Sequence, residues 1–160
     1  MLEWIESFGI GVWLRESPSV WSHPTVLTLH TTGMAVLVGA CWLIDLRVLG
    51  ISRNIPLSDM RWAFRAVAVG LFVNLCTGVL LFIKNATSWG TAMPFLIKMA
   101  LVIASAATIL PIRRYVLSSS AGETAIGDSA QSRARLLAIA SIVAWAGAVT
   151  AGRLLAYLVP

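Results

Sequence analysis

Both histidines of the chain, His23 and His30, stand seven residues apart in "SHPTVLTLHTTGM" (residues 22–34), at and inside the start of an apolar run. On a helix turning about 100° per residue, His23, His30, Met34 and Cys41 fall within an arc of roughly 40°. One stripe therefore carries two imidazoles, a thioether and a thiol. Imidazole ligates heme iron, copper and zinc, whereas thioether and thiol favour soft copper. An imidazole inside a membrane is a functional candidate because of what it costs to place it there. The structural alternative for His30 is a neutral ring bonded to another helix, and for Cys41 and Cys76 it is packing. His23, nearer the interface, needs no special reason.

The spacing excludes one heme clamped between the two histidines. A rise of about 1.5 Å per residue separates their Cα atoms by roughly 10 Å along one helix face, so a macrocycle between them would cut through the helix. Bis-histidine ligation needs facing helices, and no other histidine exists in the chain. A second ligand would be a methionine, a water, or the same histidine of a second copy in a homodimer.

The elements that must position these residues are membrane spans. The chain of 160 residues is 58% hydrophobic and 12% charged, far more apolar than soluble domains, which carry about 25% charged residues. Apolar segments of about 20 residues cross a hydrocarbon core, and four fit: 24–46, 60–83, 94–115 and 133–158. The expected fold is all-α, an integral membrane four-helix bundle in a single domain. Residues 2–15, with Trp4, Ile5, Phe8, Val12 and Trp13 able to share one face, predict an interfacial amphipathic helix. Pro24 suits the first turn of the first span. Ser58 or Asp59 could cap the second.

Charge sets the orientation. Arg47, Arg53, Arg61, Arg65, Arg113, Arg114, Arg133 and Arg135 gather on one side, against Arg15, Lys84, Lys98 and Arg153 on the other. The positive-inside rule then places both termini outside, the periplasmic face of a bacterial inner membrane. Trp13, Trp21 and Trp89 near one interface and Trp42 and Trp62 near the other fit an aromatic belt, with Trp145 near mid-depth. The net charge of +5 accordingly reads as lipid contact rather than nucleic-acid binding.

Two further patterns bear on a cofactor. Ala66, Gly70, Asn74 and Gly78 recur every four residues on the second span, forming a groove for close helix approach or for a flat cofactor. Counted from the middle of each helix, His30, Thr77, Lys98, Thr150 and Arg153 lie roughly 6–11 Å to the outer side of the midplane. A histidine and two cations in one layer suit heme b, with iron at His30 and propionates toward Lys98 and Arg153. The alternative for the cations is snorkelling toward the interface.

"LHTTGMAVLVG" (29–39) followed by "DLRVLG" (45–50) resembles a family of small uncharacterised four-helix bacterial inner-membrane proteins. More remotely, a histidine followed by glycine three residues later on an apolar helix is similar to CopD-type copper-resistance proteins and b-type cytochrome bundles. That remote resemblance implies ligand roles for His30 and His23. The chain departs from the cytochrome pattern in carrying no histidine on a second helix.

Three expectations result. The first is a heme b protein for electron transfer, with His30 as ligand and His23 as second ligand or second site. The second is a copper-handling protein using His23, His30, Met34 and Cys41. The third is a cofactor-free accessory subunit of a larger membrane complex. An enzyme fits least, since no Ser/His/Asp set, paired carboxylates or phosphate loop occurs. Asp45, beside Arg47, is expected to be a salt-bridged helix terminus.

Overall fold

The computed structural model describes residues 4, 6–7, 9, 12–13, 22–51, 54–56, 60–120 and 128–158. The described residues form four long helices and one short one: α1 (Ser22–Leu49), α2 (Met60–Lys84), α3 (Ala86–Trp89), α4 (Met93–Ser120) and α5 (Asp128–Leu158). No strand occurs among them. The four long helices are each long and apolar enough to cross a membrane, so the chain is a multi-pass membrane protein.

The helices begin where local chemistry allows. Pro24 and Pro94 both sit in first turns, where a missing N–H forfeits no intrahelical bond. The end of α1 is a Schellman turn. Gly50 takes φ 89°, its N–H donates to Arg47 O, and the Ile51 N–H donates to Leu46 O. Helix α4 runs through Pro111 to Ser120, five residues beyond the expected end at Tyr115. Helix α5 begins at Asp128 rather than Arg133. The polar residues beyond the apolar runs thus extend both helices past the expected spans.

Packing mixes small and large side chains inside: Ala63, Ala134, Ala138, Ala148 and Ala151 are buried beside Leu37, Met60, Val116 and Trp145, whereas Phe72, Leu75, Ile103, Leu136 and Val143 face outward. Lipid tails are as apolar as leucine, so helices associate through close backbone approach rather than by hiding large side chains. Helix α1 lies along α2 and α4 along α5, and the two hairpins join mainly through α1 against α5.

The tightest contact is between α1 and α2. A Cβ on Gly70 would stand 2.8 Å from Leu37 N and 3.0 Å from Gly33 O, and one on Gly33 would stand 2.9 Å from Val73 Cγ1. The small-residue groove of α2 is therefore filled at Gly70 by the backbone of α1.

At one end of the bundle α3 turns the chain between α2 and α4. Phe82 of α2 stacks on Phe95 of α4 with centroids 5.2 Å apart, and Trp89 lies 6.3 Å from Phe95. Asn85 precedes α3 without a side-chain cap. Glu6 serves instead, its Oε1 accepting from Thr87 N at 2.7 Å and Thr87 Oγ1 at 2.6 Å. Most of the expected interfacial helix over 2–15, the capping positions Ser58 and Asp59, and the interface residues Arg15 and Trp21 lie outside the described residues.

Candidate functional site

Helices α1 and α2 position His30. Its Nδ1 lies 2.9 Å from Thr77 Oγ1 on the facing helix, and Thr77 Oγ1 in turn donates to Val73 O at 2.7 Å. A hydroxyl has one proton to give. With that proton on Val73 O, the oxygen of Thr77 faces His30 Nδ1 as an acceptor, the pairing made by a ring protonated on Nδ1. In the neutral ring the lone pair is then on Nε2. Nε2 is not among the sealed, unpartnered buried atoms, and His30 is only half-buried.

Gly78 makes room for the ring. A Cβ there would meet His30 Cε1 at 3.3 Å and Nδ1 at 3.8 Å, so the Cε1–Nδ1 edge of the imidazole packs against the glycine. The two glycines of the α2 groove thus have separate tasks. Gly70 takes the α1 backbone and Gly78 takes the His30 ring, and at both positions the groove is occupied by the chain itself rather than by a flat cofactor. Asn74, one turn from each, is half-buried.

Lys98 of α4 is half-buried and lies along α5, its Cδ, Cε and Nζ all within 3.7 Å of where a Cβ on Gly152 would be. Its charge is felt at the His30 ring, so these two members of the expected layer lie within electrostatic reach of one another. The other members do not join them. Thr150 is exposed and donates to Ala146 O of its own helix, and Arg153 is exposed on α5, as a snorkelling side chain is.

The stripe on α1 divides among neighbours. His23, in the first turn of α1, lies near Lys84 at the end of α2, and its Nδ1 is buried without a partner. Met34 packs against the apolar core. Cys41 is buried beside Asp45 and Trp145. No three His, Cys, Asp or Glu side chains cluster to hold a metal ion among the described residues.

Asp45 departs most from expectation. Its side chain is 2% exposed, and it forms no salt bridge with Arg47, whose Nε donates to Ile55 O at 2.6 Å. Arg47 is used to hold the loop after α1, and Asp45 turns inward. The available signal was spacing. Cys41 and Asp45 on α1, and Ser141 and Trp145 on α5, are both i, i+4 pairs, and such pairs share a helix face.

Comparison with known proteins returns no matching family, no matching curated protein and no matching solved structure.

Proposed function

We propose that the chain is an electron-transfer protein of the bacterial inner membrane that holds heme b through His30 Nε2, with both termini on the periplasmic side. The observation that carries this reading is the His30–Thr77 bond. Histidines that ligate metals donate their other N–H to a fixed acceptor, which sets the tautomer and aims the ligating nitrogen. Gly78 supports the same pose from below. Lys98, a half-buried cation acting on the imidazole, suits a propionate; Arg153, exposed nearer the helix end, can meet one only at the surface. The orientation rests on the excess of arginine on one side.

His30 would be the one residue of each chain to hold the heme. Heme b, when bound, supplies reversible one-electron chemistry at its iron. In this reading the protein's own residues orient Nε2, let the Nδ1–H donate to Thr77 Oγ1 and place the Lys98 charge within electrostatic reach of the ring. His23 sits about 10 Å along the same helix and so serves a separate site or none, and a second copy of α1 in a homodimer is the source of a second histidine. Copper handling has less support, because Met34 and Cys41 are engaged in the core.

The test is the visible spectrum of protein purified in detergent after heme-supplemented expression. A Soret band that is lost in His30→Ala is the expected result. Colourless wild-type protein that co-purifies with a membrane partner and tolerates His30→Gln would instead favour the accessory-subunit reading.

A further inference from the structure

The half of the bundle away from α3 contains a second polar cluster that the heme reading does not use. Asp45 of α1, Ser141 of α5 and Thr108 of α4 are all buried, with 2%, 2% and 8% exposure. They line a partly enclosed cavity of about 10 Å³ together with Cys41, Val67 and Ile112. That volume is close to what one water requires. The Ser141 hydroxyl hydrogen-bonds the Asp45 carboxyl, while the second oxygen, Oδ2, is buried with no partner. Thr108 Oγ1 gives its proton to Ser105 O at 2.7 Å, so its oxygen can accept a bond from a group in the cavity.

We propose that this cavity is an intramembrane proton-binding site, in which the Asp45 carboxyl takes up and releases a proton through one water held between Asp45 and Thr108. The argument rests on charge balance. A buried ionised carboxylate needs a counter-charge, and the described residues of the cavity wall supply none. Helix α2 contributes Phe64 and Val67, α4 contributes Thr108, Ile109 and Ile112, and α5 contributes Ser141. The remaining titratable neighbour is Cys41, on α1 itself. A proton supplies the balancing charge and makes the carboxyl a donor for the otherwise unpaired Oδ2 edge. A water in the cavity would accept from that carboxyl and donate to Thr108 Oγ1, giving the proton a route off Asp45. An ionisable group within a membrane that is neither snorkelled nor paired is the kind of residue used to carry protons.

The experiment is infrared difference spectroscopy of the full chain in lipid vesicles, comparing acid with alkaline buffer. The expected result is one carbonyl-stretch band of a protonated, buried carboxyl. The band should be lost in Asp45→Asn, retained at a shifted position in Asp45→Glu, and moved but not lost in Ser141→Ala. An unchanged band in Asp45→Asn would overturn the proposal. So would a band that disappears when sodium replaces choline at fixed pH, because the site would then hold a metal cation. Should Asp45→Asn fail to fold, Asp45→Glu and Ser141→Ala decide alone: a band that moves in neither assigns it to another carboxyl. The heme spectrum is read separately on the same samples, so failure of either reading leaves the other standing.

Discussion

The two halves of helix α1 place polar side chains by opposite means. Near the α3 end, His30 reaches across to Thr77, whose own proton is given to Val73 O. Fifteen residues on, about 22 Å along the axis, Asp45 turns into the interior and meets Ser141, with one oxygen left over. The first arrangement holds an imidazole against a hydroxyl of the facing helix, and on the heme reading it leaves Nε2 to a ligand from outside the chain. The second encloses a group that must take its counter-charge from a proton. The bundle can do both, because close helix approach at Gly70 leaves the polar side chains on either side of that contact in separate compartments.

The largest effect expected concerns the first compartment. His30→Ala should lower heme occupancy by more than the 10–100-fold typical of losing a second-shell partner, read as loss of the Soret band; full retention would remove His30 from the site. Next comes the contact between the compartments. Gly70→Val drives a side chain into the α1 backbone and should lower stability by about 1–3 kcal/mol, the usual cost of overpacking, measured by thermal unfolding in detergent. An unchanged melting curve would mean that α1 and α2 are not held as closely as the glycine contact requires.

Thr77→Val removes the acceptor for His30 Nδ1 and should weaken heme binding about tenfold while leaving His30 in place. Equal affinity would show that the ring is oriented by Gly78 alone. The smallest effect tests independence. Asp45→Asn should leave heme affinity within about 0.5 kcal/mol of wild type, as for sites far apart with no shared partner. A larger change would tie the two halves into one functional unit.

Much of the architecture was legible along the chain. Four apolar runs announced four spans, and Pro24 and Pro94 marked two starts. The helix lengths of α4 and α5 were underestimated because hydropathy reports where a span is apolar, not where backbone hydrogen bonding stops. Counting residues from helix centres put His30, Thr77 and Lys98 in one layer; the side chains of His30 and Thr77 meet, and the Lys98 charge is felt at the ring. Arg153 was placed there by the same count, yet its side chain is exposed, since depth along an axis says nothing of the direction a long side chain takes. Asp45 was misread for the converse reason. Its neighbour in sequence is Arg47, but its neighbours in space are Ser141 and Cys41.

By itself the sequence determined that this is a membrane protein of four helices, because the cost of burying polar groups in hydrocarbon makes apolar length a direct readout of a span. It also determined that two histidines on one helix face cannot clamp one heme, because helix rise is constant. Only the tertiary structure decided which nitrogen of His30 faces Thr77, what fills the groove of α2, and that Asp45 lies buried beside Ser141 rather than in a surface ion pair. Those outcomes depend on the rotation of each helix about its own axis. Helices apolar on every side leave rotation open, and the close contacts at Gly33, Gly70 and Gly78 set it.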